Sequence, residues 1–199
     1  LKIFTDFFYN TPIIDIIAVI TGIIYVLLAA KNHILCWLFG IISSALTTYA
    51  VFFHYNLYME TFLNAFYVFA GVWGWLNWNR QKKLNRKVIS YGWDRHLPII
   101  LSGLAFTFIL GFIFKTWTDS SAPYLDAFTT VFALMTTFMV GLRILENWLY
   151  WIVIDSASIY LYSSRGGHFF ILLFSVYIIV SVLGYLQWRK EYKTDVQIS

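Results

Sequence analysis

One stretch of the chain brings together residue types that could bind a flat, positively charged ligand. Asn147, Trp148, Trp151 and Asp155 lie within nine residues, in a run that is otherwise mostly apolar. On a helix, Trp148, Trp151 and Asp155 occupy positions i, i+3 and i+7 and therefore share one face. Indole rings attract cations to their π-faces, and a carboxylate supplies the opposite charge. The spacing therefore predicts a binding site on a single helix.

The composition places this stretch in a membrane. The chain of 199 residues is 60% hydrophobic and 12% charged, whereas a soluble domain carries about 25% charged residues. A carboxylate in hydrocarbon costs about 2.5–3.5 kcal/mol on insertion scales, so it normally faces a bundle interior or a wet cavity. No predicted span carries Lys or Arg at the depth of Asp155. This favours a functional role for the carboxylate over a structural ion pair.

Seven apolar segments have about the 20-residue length that a bilayer requires, and charged residues or histidines bound them. Because a helix pairs its backbone polar groups within the segment, the pattern predicts an all-α integral membrane protein with seven transmembrane helices. The predicted spans are 12–30, 34–53, 61–79, 97–114, 124–142, 147–164 and 169–188. A basic linker, 80–87, follows the third span.

The basic residues are unequally divided between the two sides of the membrane, eleven against three. The crowded side holds Lys31, Arg80, Lys82, Lys83, Arg86, Lys87, Arg95, Arg143, Arg189, Lys190 and Lys193, and the other side holds Lys2, Lys115 and Arg165. The crowded side is expected to be cytoplasmic, so the N-terminus is predicted outside and the C-terminus inside. Four tryptophans cluster near that side, and most of them are expected to form an aromatic belt rather than to bind a ligand: Trp73, Trp75, Trp78 and Trp188.

The second half of the chain repeats the first. The pairs at an offset of 111 are Pro12 with Pro123, Asp15 with Asp126, Trp37 with Trp148, Ile41 with Ile152 and Tyr49 with Tyr160; at 110 they are Tyr67 with Tyr177, Gly74 with Gly184 and Trp78 with Trp188. We predict two three-helix repeats, 12–79 and 123–190, joined by a segment, 80–122, that holds the linker and a connecting helix. Since one span lies between them, the repeats are expected to be parallel and to enclose a cavity open alternately to each side.

Further candidates for ligand binding lie at the same middle depth. Asn64 and Tyr67 share a face of the third span, and Tyr177 lies on the seventh. Ser44 occupies the repeat position of Asp155, so the two halves differ chemically where an asymmetric ligand would bind. Trp37, the counterpart of Trp148, completes the candidate set. The other hydroxyl residues of the spans are expected to pack helices or to bond within the bundle.

Several other functions lack the residues they need. Cys36 is the only cysteine, and the histidines, including His96, lie apart without metal-ligand spacing. Asp15 and Asp126 each follow a proline by three residues, which is typical of a helix N-terminus. No ATP-binding motif and no nucleophile with a nearby base is present. We therefore expect no enzyme activity, no metal or cofactor, and no nucleic-acid partner.

These residues resemble the Pnu family of vitamin transporters. The resemblance rests on ENWLYW at 146–151 followed by Asp155, YLQW at 185–188, WLFGIIS at 37–43 and WGW at 73–75. It implies two three-helix bundles with a connecting helix, similar to SWEET proteins, in a bacterial cytoplasmic membrane. It also implies facilitated diffusion, trapping of the vitamin by a cytoplasmic kinase, and a homo-oligomer such as a trimer. The site implied contains Trp148, Trp151 and Asp155, with Asn64, Tyr67 and Tyr177 as further contacts.

Two vitamins compete as the substrate. Thiamine offers a thiazolium cation and an aminopyrimidine, either of which Asp155 could bind. Nicotinamide riboside needs partners for its carboxamide and ribose, and Asn64 is the only amide at middle depth. On this basis we favour thiamine and keep nicotinamide riboside as the alternative. From other classes, an enzyme pairing Asp155 with Asp126 and a structural subunit of a larger complex remain open.

Overall fold

The computed structural model describes residues 12–53, 58–84, 87–164 and 168–198, and its long elements are all α-helices. The helices of this described part are α1 (Ile13–Ala30), α2 (Leu35–Phe53), α3 (Tyr58–Lys83), α4 (Trp93–Trp117), α5 (Pro123–Gly141), α6 (Asn147–Ser164) and α7 (His168–Ile198). The predicted all-α fold with seven helices is confirmed. Three of the basic residues used to predict orientation, Lys2, Arg86 and Arg165, lie outside the described residues.

The helix ends differ from the predicted spans mainly on the side rich in basic residues. Helix α6 has the predicted bounds, but α3 continues to Lys83 and α7 to Ile198. Hydropathy detects the part of a helix that crosses hydrocarbon, whereas Lys, Arg, Gln and Glu are themselves good helix formers. Both helices therefore continue past the predicted membrane edge, and half of the predicted basic linker is helical.

The helices differ in how apolar they are. Five of them, α1, α2, α4, α5 and α7, are long and apolar enough to cross a membrane. Helices α3 and α6 fall short, because polar residues such as Asn64 and Asp155 interrupt their apolar runs. Helix α6 compensates by burying Asn147, Asp155 and Ser158 inside the protein. The two helices that carry most of the predicted site are therefore the least suited to face lipid.

The chain divides into two compact units, one ending at Arg80 and the other beginning at Gln81. In the first unit α1 packs on α2, and α3 reaches α2 where Gly71 lies against the side chain of Ile41. In the second unit α4 packs on α5, α5 on α6, and α6 on α7. The connecting helix α4 therefore belongs structurally with the second repeat.

The turns after α1 and α5 are built alike. Asn32 and Arg143 both have positive φ, 52° and 59°, and they lie 111 residues apart. The same two backbone bonds close each turn: His33 N–H to Leu28 O and Asn32 N–H to Ala29 O, and Ile144 N–H to Met139 O and Arg143 N–H to Val140 O. This is the Schellman arrangement that satisfies the last carbonyls of a helix. The repeat seen in the sequence thus extends to backbone conformation.

Each unit also contains the same tryptophan packing. A Cβ on Gly74 would lie 2.5 Å from the ring of Trp37, and a Cβ on Gly184 would lie 2.7 Å from the ring of Trp148. A second indole meets each ring edge-on, with centroids 5.6 Å apart for Trp37 and Trp78 and 5.5 Å apart for Trp148 and Trp188. Each glycine lets an indole lie directly on the neighbouring backbone.

Two of the predicted belt tryptophans are therefore core residues instead. Trp78 and Trp188 are completely buried, so assigning them to a belt at the membrane surface is wrong. An indole near a membrane edge satisfies the sequence signature of a belt residue whether it faces lipid or its own bundle. Only the packing against Trp37 and Trp148 distinguishes the two.

This packing predicts that Gly184→Ala destabilises the second unit. The added methyl group would overlap the Trp148 ring, and overpacking of this kind costs about 1–3 kcal/mol. Thermal unfolding of the purified protein in detergent measures the loss, and Gly74→Ala should behave similarly. Leu186→Ala, at an exposed position of α7, is the control and should change the unfolding temperature little. An unchanged unfolding temperature for Gly184→Ala would contradict the close contact.

Candidate functional site

The first turn of α6 is buried and serves packing. Asn147 is 0% exposed, and its side-chain amide donates a hydrogen bond to the carbonyl of Ile144 at 2.7 Å. Trp148 is 2% exposed and lies on Gly184 against Trp188. Both residues were predicted to contact the ligand. The structure places them in the bundle, holding the start of α6 against α7.

Trp151, one turn further along, is only partly buried. Its side chain packs against a core cluster of Phe132 and Ala133 on α5 and Ile154 on α6. Phe128 and Tyr150 flank the same cluster. An indole held in this way has a defined orientation and keeps part of its surface accessible. Trp151 therefore differs from Trp148 in having ring surface that a ligand could reach.

Asp155 lies one turn beyond Trp151 and is 3% exposed. Tyr177 on α7 lies within the range of an electrostatic interaction with the Asp155 carboxylate. Helices α5 and α6 contain no Lys or Arg, and the first in α7 is Arg189. Within the described residues no ion pair includes Asp155. The structure therefore brings Trp151, Asp155 and Tyr177 together and leaves the carboxylate without a protein cation.

The hydroxyl groups around Asp155 are used within their own helices. Ser158 donates to the carbonyl of Ile154 at 2.9 Å, and Ser156 donates to that of Ile152 at 2.7 Å. Ser175 on α7 does the same with Ile171 at 2.8 Å. These bonds agree with the expectation that the small hydroxyl residues serve the bundle, and they leave Asp155 as the charged group of this region.

Among the candidates of the first unit, only Trp37 lies in surroundings like those of its counterpart, and the others are half-buried. Trp37 is buried on Gly74, as Trp148 is on Gly184. Ser44 is half-buried on α2, and its backbone carbonyl accepts the hydroxyl of Thr48 at 2.7 Å. On α3, the Asn64 amide donates to the carbonyl of Glu60 at 2.8 Å, and Tyr67 follows one turn later, half-buried beside Phe66.

The carboxylates at the starts of α1 and α5 lie where a helix N-terminus favours them. Asp15 and Asp126 are both in the first turn of their helices. The Asp126 carboxylate accepts a hydrogen bond from the Ser120 hydroxyl. Asp126 is thus hydrogen-bonded at the N-terminal end of α5, whereas Asp155 lies near the middle of α6. Nothing in this placement supports catalysis by the two carboxylates as a pair.

A polar group at the start of α6 was missed by reasoning from the sequence. His96, near the start of α4, lies 3.0 Å from the Tyr150 hydroxyl through Nδ1 and 3.6 Å from the Glu146 carboxylate through Nε2. The sequence marks His96 only as a residue at a span end. Fifty or more residues separate it from both partners, so no local spacing could have found the contact. Among the described residues no group of three potential metal ligands occurs.

Comparison with known proteins identifies the family of the chain. The sequence profile of the nicotinamide mononucleotide transporter family matches residues 12–190. The chain is 23% identical to the nicotinamide riboside transporter PnuC of Escherichia coli K12, over 90% of this chain and 86% of that protein. It is 28% identical to the nicotinamide riboside transporter PnuC of Neisseria mucosa, over 89% and 72%.

A solved structure extends the likeness to the fold. A crystal structure of the vitamin B3 transporter PnuC superimposes with a TM-score of 0.75 at 27% identity, covering 96% of this chain and 86% of that one. The family match over residues 12–190 covers six of the described helices entirely and most of α7, and the structural match covers 96% of the chain. The chain is a multi-pass membrane protein and belongs to the nicotinamide mononucleotide transporter family, the family of the PnuC transporters.

Proposed function

We propose that this protein carries nicotinamide riboside across the membrane by facilitated diffusion. The observation that carries the proposal is the position of Asp155, a buried carboxylate without a protein cation, one turn from Trp151 and beside Tyr177. Nicotinamide riboside has a flat pyridinium ring with a permanent positive charge. The ring would stack on Trp151, and its charge would compensate that of Asp155.

The same carboxylate would select a nucleoside over a nucleotide. A phosphate monoester carries a charge of about −1.5 to −2 at neutral pH. Nicotinamide mononucleotide would bring this charge into a site that already holds an uncompensated carboxylate. The predicted spans contain no Lys or Arg that could neutralise the phosphate there. Like charges in a poorly solvated site repel strongly. We therefore favour the riboside over the mononucleotide, although the family is named after the latter.

The preference for thiamine drawn from the sequence is not supported. The PnuC relatives from E. coli and N. mucosa are nicotinamide riboside transporters, and the superimposed crystal structure is of a vitamin B3 transporter. The preference for thiamine rested on the lack of amide partners for the carboxamide. A carboxylate can also accept hydrogen bonds from the carboxamide N–H or from ribose hydroxyls, so Asp155 suits the riboside equally well.

The remaining candidates take different roles in this proposal. Trp148, Trp37 and Asn147 are assigned to packing, since all three are buried against their own units. Asn64 and Tyr67 remain proposed ligand contacts from α3. The Asn64 nitrogen bonds to its own helix, which leaves the side-chain oxygen to accept from a carboxamide. Ser44 occupies the repeat position of Asp155. Because serine is neutral, the only negative charge at these two positions is that of Asp155 in the second unit.

The proposed mechanism is alternating access in the bacterial cytoplasmic membrane, with the N-terminus outside and the C-terminus inside. The unequal distribution of Lys and Arg supports this orientation. A cytoplasmic kinase that adds a phosphate would trap the vitamin as an anion. Resemblance to the family supports a homo-oligomer. Catalysis is not part of the proposal, because the family consists of transporters.

The first test concerns stacking on Trp151. Aromatic and cation–π contacts are each worth about 0.5–2 kcal/mol, so Trp151→Ala should weaken binding of nicotinamide riboside about tenfold or more. Trp151→Phe should recover part of the affinity. Calorimetric titration of the purified protein measures both. Trp117→Ala, at an exposed position of α4, is the matched control, and equal affinity of Trp151→Ala and the parent would exclude stacking.

The second test concerns the charge of Asp155. Asp155→Asn keeps the shape of the side chain but removes the charge, which should cost about 1.5–3 kcal/mol of binding free energy, the value of a charge-assisted hydrogen bond. Asp126→Asn makes the same chemical change at the end of α5 and should bind like the parent. Titration of nicotinamide riboside, nicotinamide mononucleotide and thiamine into all three proteins measures the selectivity. Tight binding of thiamine without binding of the riboside would reverse the assignment.

The third test concerns the driving force. Because the sequence contains no ATP-binding motif and the proposed cycle couples no ion, uptake of nicotinamide riboside into liposomes should stop when inside and outside concentrations are equal. A radiolabelled substrate measures the plateau, and protein-free liposomes correct for leakage. Accumulation above equality that collapses with a proton or sodium gradient would contradict facilitated diffusion and would make Asp155 a candidate for ion coupling.

A further inference from the structure

The polar group at the start of α6 holds that helix from the side opposite Trp148. The Glu146 carboxylate accepts hydrogen bonds from the Ser90 hydroxyl and from the Tyr91 backbone N–H, the latter at 3.1 Å. It also lies 3.6 Å from His96 Nε2. Four residues later, the Tyr150 hydroxyl lies 3.0 Å from His96 Nδ1. We call Ser90, Tyr91, His96, Glu146 and Tyr150 the α6 clamp.

Backbone pairing reinforces the clamp. Ile89 donates its N–H to Arg143 O at 3.0 Å and accepts from Leu145 N–H at 2.8 Å. Val88 beside it is buried. The segment that enters α4 is thus attached to the α5–α6 turn by backbone and to the first turn of α6 by side chains. His96 is 6% exposed, so the histidine side of the clamp is buried, while Ser90 lies at the surface.

The clamp belongs to the second unit alone. At the repeat offset of 111, Glu146 corresponds to Leu35 and Tyr150 to Phe39, neither of which can take part in such hydrogen bonds. The first unit nevertheless has the same Schellman turn and the same tryptophan packing. A three-helix repeat therefore folds without a clamp, and the clamp serves something that the second unit does and the first does not.

The second unit differs from the first in holding the connecting helix α4 and in carrying the pair Trp151 and Asp155. Glu146 and Tyr150, four residues apart, share one face of α6, while Trp148, Trp151 and Asp155 share another. Side chains extend about 5–6 Å from a helix axis, so a rotation of α6 by about 10° would move the Trp151 ring by about 1 Å. Binding sites must be held within about 0.5 Å and 10–20°. Trp148 restrains α6 on the α7 side, and the clamp restrains it on the α4 side.

We propose that Glu146 is a positioning residue that, through the α6 clamp, sets the rotation of α6 and thereby the place of Trp151 against the substrate. This proposal rests on the proposed function in one respect: nicotinamide riboside is the ligand used in the second measurement. Glu146→Ala removes the acceptor of Ser90 and Tyr91, and Glu146→Gln keeps one acceptor oxygen without the charge. Asp119→Ala, which removes an exposed carboxylate in the α4–α5 loop, is the matched control.

The first measurement needs no ligand. Hydrogen exchange of the full-length protein in detergent should show the backbone amides of 87–92 and of the first two turns of α6 exchanging about tenfold faster in Glu146→Ala, because a charged hydrogen bond is lost. Helix α7 should keep its protection, and Asp119→Ala should exchange like the parent. Unchanged exchange in α6 would overturn the proposal whether or not nicotinamide riboside is the substrate.

The second measurement is a double-mutant cycle on nicotinamide riboside binding. Glu146→Ala should weaken binding about three- to tenfold in the parent, Glu146→Gln should recover part of this, and both losses should be clearly smaller in a Trp151→Ala background, where only Asp155 still depends on the rotation of α6. Equal losses in both backgrounds would mean a merely structural role and would overturn the proposal. Failure of the parent to bind the riboside would refute the proposed function instead, and the exchange measurement would then decide on the clamp alone.

Discussion

The contact on which the second unit depends is that between the indole of Trp148 and the backbone of α7 at Gly184. In lipid there is little hydrophobic driving force between helices, so helix association depends mainly on close van der Waals packing at small residues. The glycine lets a large flat ring replace lipid over a wide area of α7, and Trp188 meets its edge. This contact fixes the start of α6 beside α7. Only then can Asp155 on α6 lie near Tyr177 on α7.

The same contact in the first unit shows which part of the molecule is scaffold. Trp37 lies on Gly74 with Trp78 at its edge, and the turn at Asn32 has the same bonds as the turn at Arg143. Features present in both units belong to folding. Features present in only one unit are the candidates for function, and the two clearest are Asp155 in place of Ser44 and Glu146 in place of Leu35. A ligand with distinct ends requires a site whose two halves differ.

The polarity of α6 connects stability with binding. This helix is too polar to be recognised as a membrane span by its apolar content, whereas its neighbours α5 and α7 are apolar enough. Burial of Ser158 costs little, because its hydroxyl bonds to its own helix backbone, and the Asn147 nitrogen is bonded in the same way. Burial of Asp155 has no such compensation among protein cations. In the proposed function, a bound cation would compensate this charge, so the free energy that burial of the carboxylate costs the empty protein would contribute to affinity.

The sequence by itself determined the class of protein, the seven helices, the internal repeat and the family. These follow from local properties: the length of apolar runs, the positions of charges, and residues that recur at a constant offset. It also determined that Asp155 is exceptional, since a lone carboxylate in a span is costly wherever the helix packs. The ends of α3 and α7 could not be predicted from hydropathy. Both helices continue into charged residues that favour a helix but do not belong to an apolar run.

Only the tertiary structure decided how the tryptophans divide between packing and binding. Trp148 and Trp151 share a helix face and are indistinguishable by spacing, yet one is sealed on Gly184 and the other keeps accessible surface. Trp78 and Trp188 match the pattern of a lipid-facing belt and are buried instead. His96 meets Glu146 and Tyr150 across fifty or more residues. Burial depends on which backbone approaches a side chain from elsewhere in the fold, and helical periodicity carries no information about that approach.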